Sequence, residues 1–284
     1  MQRRMSLLEK IITYAILIVF AIIILYPIAF IVTGSFKSNS EIYIDPAKFL
    51  PSQPTLDNYR LLFSNENFDF GKMLTNSIMY SVWSIACSLL VTTMGAYVFS
   101  RGNFPGKKII FTAFTALMFI TPGSIAIYCK FDIIRFAGLS PNIYTLMLTK
   151  LFAVPIVGYY QVRGYIDTLP KELDESARID GCSFIGILFR IIFPLLKPVL
   201  AMLAIFAFQG SWNNYTEVLM WTSSRPENWT LTVGVMSMKN SGNAAIGTGF
   251  TMAAAVISII PVIIVYCCFN KLIVDGIAAG AVKG

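Results

Sequence analysis

Four stretches of this chain, each longer than twenty residues, contain no Asp, Glu, Lys or Arg. They cover residues 11–36, 73–100, 109–129 and 240–270. A helix needs roughly 20 apolar residues to cross a hydrocarbon layer about 30 Å thick, and its backbone polar groups must be hydrogen-bonded within the chain. The stretches therefore predict membrane-spanning helices, in line with a composition that is 56% hydrophobic and only 13% charged.

Two further stretches are less uniform, but we also expect them to span the membrane. Residues 136–162 are interrupted only by Lys150, and the stretch from Val199 stays uncharged until Glu217 and then continues apolar to Trp221. Lys and Arg concentrate at both termini and in the second and fourth loops, and basic residues in short loops are retained on the cytoplasmic side. The sequence thus predicts an all-α polytopic protein with six spans, a single membrane domain over residues 1–284, and cytoplasmic termini.

The residue types present argue against several functions. There is no His, the commonest proton shuttle and metal ligand, and no Gly-x-x-x-x-Gly-Lys-Ser/Thr loop for ATP phosphates. Without His, a Ser or Cys nucleophile has no partner to activate it, and the five cysteines lack metal-type spacing. We therefore expect no catalytic residue, no metal and no cofactor. The net charge of +7 is explained by membrane topology, so we expect no nucleic-acid partner.

The segment between the fourth and fifth predicted spans contains signals for the start and the end of a helix, which a simple connecting loop does not need. Three acidic residues closely follow Pro170, where they favour the positive end of a helix and proline costs no hydrogen bond. Ser176 and Ala177 are small, and Gly181 suits the left-handed residue that ends a helix. The segment therefore predicts a short docking helix, with a surface helix that only covers the bundle as the alternative. The three acidic residues are Glu172, Asp174 and Glu175.

This segment resembles the EAA motif of ABC importer permeases. The matching residues are Pro170-x-Glu172-Leu173-x-Glu175-Ser176-Ala177-x-x-Asp180-Gly181, then Ile191-x-Phe193-Pro194-x-x-x-Pro198. Ser176 stands where the family usually has Ala, and Phe193 where it usually has Leu. Further motifs and the six-span layout are similar to the second permease subunit of maltose-type sugar importers, so the resemblance covers nearly the whole chain. Those motifs are Leu56-Asp57-Asn58-Tyr59, Trp212-Asn213, Leu231-Thr232-Val233-Gly234 and the ending from Ala278 to Gly284.

The resemblance implies a type I ABC importer permease of the bacterial inner membrane, for a sugar or oligosaccharide. ATP hydrolysis would lie on two separate ATPase subunits, and the other partners would be a homologous permease subunit and an extracytoplasmic sugar-binding protein. The loop at about residues 163–198 would couple to the ATPase, with Glu175 as the charged anchor. Pro194 and Pro198 would set the angle to the fifth span. The implied coupling residues are Glu172, Glu175, Ser176, Ala177, Asp180, Gly181 and Pro194.

Two other functions remain as alternatives to a sugar importer. One is a permease of an ABC importer for a non-sugar solute. The other is an ATP-independent secondary transporter, which would need acidic residues within the membrane or a broken helix that coordinates an ion.

Polar side chains within the fifth span are candidates for the translocation path, because burying them against lipid without partners costs on the order of several kcal/mol. Aromatic rings stack on sugar rings, and amides donate to and accept from hydroxyls. Hydrogen bonding between helices is the alternative explanation for these residues. The candidates are Trp212, Asn213, Asn214 and Tyr215, with Gln209 and Ser211 nearby.

Lys150 is unusual because an ammonium near the middle of a membrane is costly unless it faces water or a carboxylate. If it faces the pore, it favours a substrate that carries a carboxylate or sulfate. The alternatives are a structural pair with an acidic residue of the partner permease and a side chain that extends outward to the membrane surface.

The last outward loop is rich in Ser, Asn and Gly. Its polar run consists of Lys239, Asn240, Ser241, Gly242 and Asn243. Polar surface loops commonly carry binding function. We therefore expect this run to contact the binding protein.

Overall fold

The computed structural model describes residues 6–64, 69–119, 123–153, 155–240 and 247–281. Within these ranges all regular structure is helical, as predicted. Two 3₁₀ turns, Lys150–Phe152 and Pro226–Asn228, and a π-helical turn, Leu188–Ile192, accompany the α-helices. The α-helices are α1 Leu7–Gly34, α2 Asn39–Ile44, α3 Asp57–Ser64, α4 Phe70–Arg101, α5 Lys107–Leu117, α6 Ser124–Phe136, α7 Ile143–Thr149, α8 Ile156–Asp167, α9 Glu172–Ile179, α10 Phe184–Ile187, α11 Phe193–Leu195, α12 Lys197–Trp212, α13 Tyr215–Thr222, α14 Leu231–Lys239 and α15 Thr248–Ala281.

Four helical segments of the described chain are long and apolar enough to cross a membrane. They are Leu7–Gly34, Phe70–Arg101, Ile143–Asp167 and Thr248–Lys271, and they correspond to the first, second, fourth and sixth predicted spans. The number becomes five if Phe184–Leu195 and Lys197–Trp212, which meet at an angle of 85°, are counted as one broken span.

The third predicted span is not one continuous helix. Residues 109–129 are shared between α5 and α6, and Gly123 precedes α6 with a positive φ of 54°. Such a φ strains residues that carry a Cβ atom and interrupts a right-handed helix. The structure also interrupts the fourth predicted span at the 3₁₀ turn Lys150–Phe152, and the fifth between Trp212 and Tyr215.

The described residues form two compact units. The first unit contains the described parts of Met1–Phe70 and Val235–Pro261. In it, the buried Asn58 on α3 donates from Nδ2 to the carbonyl of Ser35 at 2.9 Å and to that of Lys37 at 2.8 Å. These bonds fasten α3 to the carboxyl end of α1.

Helix α1 presents an apolar surface that the described chain leaves uncovered. Its most apolar 18-residue window has a mean hydropathy of 3.1 and contains no buried residue. An exposed apolar surface of this length requires lipid or another protein as its surroundings.

The second unit contains the described parts of Gly71–Gly234 and Val262–Gly284 and has two hydrophobic cores. The Ile187 core joins α4, α8, α9, α10, the π-helical turn and α12, and the Trp221 core joins α4, α6, α7, α13 and α14. The Ile187 core consists of Ala96, Tyr97, Tyr159, Val162, Ile166, Ala177, Ile187, Leu188, Ile192, Leu196, Val199, Leu200 and Leu203. The Trp221 core consists of Tyr80, Ile134, Ile143, Leu146, Val218, Trp221 and Val233.

Candidate functional site

Helix α9, the predicted docking helix, has both of its ends defined by its own sequence. Its first turn contains the three predicted acidic residues. At its carboxyl end Gly181 has a φ of 80°, and the N–H groups of Gly181 and Cys182 donate to the carbonyls of Arg178 and Ala177 at 3.0 and 2.9 Å. This pair of bonds is a Schellman motif, which satisfies the last carbonyls of the helix.

Six of the seven predicted coupling residues are exposed, namely Glu172, Glu175, Ser176, Asp180, Gly181 and Pro194. Ala177 differs, because it is only 5% exposed and packs in the Ile187 core. Asp174 is also buried, and residues three apart lie on the same side of a helix. The structure therefore corrects the expectation for Ala177: it fixes α9 to its own chain and is not available to a partner.

The exposed side of α9 also carries an apolar residue that the sequence analysis did not single out. Ile179 is 87% exposed, and it lies four residues after Glu175, one helical turn further along the same side. That spacing was a usable signal in the sequence. Four exposed residues of α9 lie on this one side of the helix, and we call them the docking face. They are Glu172, Glu175, Ser176 and Ile179.

A sharp bend connects the docking segment to the fifth span. Phe184–Leu195 and Lys197–Trp212 meet at 85°, with Leu196 between them. Pro198 lies in the first turn of α12, where the missing N–H of proline costs no hydrogen bond, and Pro194 lies near the end of the helical segment Phe184–Leu195. The bend lies between the two prolines, and their angle-setting role stays a prediction.

A cavity of about 740 Å³ lies in the second unit, with walls from α4, α8, α12 and α13. Apolar residues such as Leu203 and Phe206 form part of the wall. The hydroxyl and amide groups on the remaining wall donate and accept hydrogen bonds, and so match a solute rich in hydroxyls. The polar lining residues are Ser84, Ser88, Lys150, Gln161, Ser211, Asn214 and Glu217.

The charged part of the cavity wall lies where two predicted spans are interrupted. Lys150 occupies the 3₁₀ turn between α7 and α8, and Asn214 lies between α12 and α13. Glu217 accepts hydrogen bonds from Lys130 at 2.5 Å, from Lys150 at 3.3 Å and from the Asn214 amide at 2.7 Å. The same amide donates to the Tyr80 hydroxyl at 3.1 Å. Interrupted helices that meet at polar groups are typical of solute sites in transporters.

Only Lys150 and Asn214, of the predicted path residues, line this cavity. Trp212 is 4% exposed, and its ring stacks on Phe208 with a centroid distance of 5.3 Å. Tyr215 packs against the Trp221 core, and Asn213 is exposed away from the cavity wall. Helix α12 ends at Trp212, and of the residues that follow it Asn214 and Glu217 line the cavity. The path role of all these residues stays a prediction, and Lys150 and Asn214 are the two that border the cavity.

The structure describes only part of the run predicted to contact the binding protein. Lys239 ends α14 and Asn240 follows it, and both are exposed. Ser241, Gly242 and Asn243 lie outside the described residues.

Known proteins that this chain is similar to support the resemblance found in its motifs. Residues 102–278 match the family described as "Binding-protein-dependent transport system inner membrane component". The galactooligosaccharides transport system permease protein GanQ of Bacillus subtilis (strain 168) is 35% identical, over 96% of this chain and 95% of that protein. The diacetylchitobiose uptake system permease protein NgcG of Streptomyces coelicolor is 30% identical, over 96% of this chain and 88% of that protein.

Two solved structures share the fold. A chain of a bacterial ABC transporter involved in the import of the acidic polysaccharide alginate superposes with a TM-score of 0.80 at 25% identity, covering 95% of this chain and 98% of that one. A chain of the bacterial alginate ABC transporter in complex with an alginate pentasaccharide-bound periplasmic protein gives a TM-score of 0.63 at 16% identity, covering 93% of both chains. The resemblance to ABC importer permeases is confirmed, and the chain belongs to the family of binding-protein-dependent transport system inner membrane components.

Proposed function

We propose that this chain is one of two permease subunits in an ATP-driven importer that receives a sugar or oligosaccharide from an extracytoplasmic binding protein. Its relatives are named as permeases for galactooligosaccharides and for diacetylchitobiose. The hydroxyl and amide groups on the cavity wall suit solutes of that class. The importer lies in the bacterial inner membrane with both termini of this chain in the cytoplasm.

The docking face is the observation that carries the proposal. An isoleucine that is 87% exposed beside two carboxylates, on a short helix between spans, offers a partner protein one apolar and two charged contacts. A helix of eight residues is about 12 Å long, which suits insertion into a cleft. We assign that cleft to one of two separate ATPase subunits, with Glu175 paired to a basic group and Ile179 in an apolar pocket.

The cavity supplies half of the translocation path, and a homologous permease subunit supplies the other half. Lys150 and Asn214 face the solute in this half. Docking of the loaded binding protein and binding of ATP open the path outward, and hydrolysis returns it to the inward-open form. The exposed Lys239 and Asn240 support a contact between the run Lys239 to Asn243 and the binding protein.

Purification from native membranes tests the proposal. The chain is expected to co-purify with a second permease and an ATPase, and the complex in lipid nanodiscs is expected to hydrolyse ATP faster when a binding protein loaded with a galactooligosaccharide or chitobiose is added. An autonomous oligomer of this chain that transports sugar without ATP would contradict it.

A further inference from the structure

A buried carboxylate connects the docking helix to the second predicted span. The Tyr97 hydroxyl donates to Asp174 Oδ1 at 2.6 Å, and Arg101 Nε lies 3.2 Å from Asp174 Oδ2. The second contact is ionic, since its angle does not satisfy hydrogen-bond geometry. The side chains of Arg101 and Asp174 are 4% and 5% exposed, so both charges are shielded from water and depend on each other.

Arg101 also holds the carboxyl end of the neighbouring span. One of its terminal nitrogens donates to the carbonyl of Ile166 at 3.2 Å and to that of Leu169 at 2.7 Å. A cation at this position compensates the partial negative charge of a helix end. One guanidinium thus joins α4, α8 and α9.

Helix α4 extends from this joint to the cavity. Ser84 and Ser88 on α4 line the cavity, and they precede Arg101 by 17 and 13 residues. At 1.5 Å per residue, this separation is about 20–26 Å along a helix that contains no proline and that the structure shows as continuous. Helix α4 is therefore one continuous element between Arg101 and the cavity wall.

We propose that Asp174 is a positioning residue that couples the docking helix to α4, and through α4 to the cavity. The inference depends on the proposed function. The docking helix is connected to α8 and α12 along the chain, but α4 is far from it in sequence and is reached through side chains. Tyr97 and Arg101 make the polar contacts, and the ring of Phe184 lies 4.5 Å from that of Tyr97. Movement of α9 by the ATPase thus reaches three helices together.

The test measures the response of the cavity to nucleotide in the whole importer. In a background without the five native cysteines, Ser84→Cys is reacted with a membrane-impermeant methanethiosulfonate, with and without ATP in the presence of EDTA. We expect the labelling rate to change by about fivefold or more with nucleotide, the lower range of allosteric coupling. Asp174→Asn is expected to bring the ratio of the two rates to about one, and Asp174→Glu to restore part of it.

Controls distinguish a coupling role of Asp174 from a role in stability alone. They also distinguish failure of this inference from failure of the proposed function. Asp167→Asn removes a nearby carboxylate that is 48% exposed and is expected to keep the nucleotide response. If Asp174→Asn does not assemble, Tyr97→Phe replaces it, because that variant loses one hydroxyl and keeps the ring against Phe184. The inference would be overturned if the complex with Asp174→Asn, or with Tyr97→Phe in its place, retained its ATPase subunits and the full nucleotide response. If the importer that carries Ser84→Cys with Asp174 intact showed no response to nucleotide, that result would instead count against the proposed function.

Discussion

Lys150 Nζ lies 3.3 Å from Glu217 Oε2, and this ion pair joins the interruption of the fourth predicted span to that of the fifth. Glu217 also binds Lys130 at 2.5 Å, so one carboxylate serves two cations. The acid that meets Lys150 therefore belongs to the same chain, whereas the structural alternative from the sequence placed it in a partner permease.

Removing the shared carboxylate is expected to cost more stability than removing one of its cations. Glu217→Gln leaves Lys130 and Lys150 without a counter-charge, and we expect the free energy of unfolding to fall by roughly 2–4 kcal/mol. This range is smaller than for a fully buried pair because Lys130 is 41% exposed and is screened by water. Lys150→Met leaves Glu217 with Lys130 and Asn214, and we expect a loss of about 1–2 kcal/mol. Tryptophan fluorescence during heating in detergent measures the order of the two melting temperatures. A lower melting temperature for Lys150→Met than for Glu217→Gln would contradict this account.

The same ion pair predicts how Lys150 affects substrate choice. Because the ammonium is already paired, Lys150→Met is expected to reduce uptake of neutral and of uronate-containing oligosaccharides by the same factor. Uptake of both classes into cells that express the complete importer measures this. A selective loss of the acidic oligosaccharides would show that Lys150 acts on a substrate carboxylate.

Two neighbouring residues of α9 are expected to respond differently to the same substitution. Ser176 is exposed on the docking face, so Ser176→Asp is expected to preserve insertion and to reduce the amount of co-purified ATPase. Ala177 is buried, so Ala177→Asp places a carboxylate in the Ile187 core and is expected to destabilise the chain by about 3 kcal/mol or more. Membrane levels and melting temperatures distinguish the two effects. Equal membrane levels and equal melting temperatures for the two variants would contradict the assignment of Ser176 to the exposed side and Ala177 to the buried side of α9.

The outward polar run gives a separate prediction. Deleting Ser241 to Asn243 is expected to weaken the stimulation of ATP hydrolysis by the loaded binding protein and to reduce uptake, while the permease and ATPase subunits still assemble. A deletion of the same length elsewhere in an outward loop, at Pro51 to Gln53, serves as the control. Unchanged stimulation and uptake in the Ser241 to Asn243 deletion would refute the contact.

The parts predicted well from the sequence depend on local signals. Helix α9 starts with acidic residues and ends at Gly181 because capping is decided by nearby residues, and the apolar stretches mark the membrane segments by composition alone. The parts not predicted depend on contacts between distant residues. Asp174 fits the amino end of a helix, yet its burial is determined by Arg101, 73 positions earlier in the chain.

The interruptions of the spans show the same limit. Polar residues surround Trp212, where α12 ends, but polar residues within a span also form hydrogen bonds between helices, so their presence alone does not locate the end of the helix. The ion pair between Lys150 and Glu217, which are 67 residues apart, joins the two interruptions. A single sequence contains no local pattern that relates two such positions.

Crosslinking from the docking face tests the central claim most directly. In a background without native cysteines, Ile179→Cys carries a short photoactivatable crosslinker, and Phe136→Cys, which replaces a residue that is 96% exposed at the end of α6, is the matched control. The account predicts that, in the assembled importer, Ile179→Cys captures an ATPase subunit and Phe136→Cys does not. Equal capture from both positions, or none from Ile179→Cys in a complex that hydrolyses ATP, would contradict it.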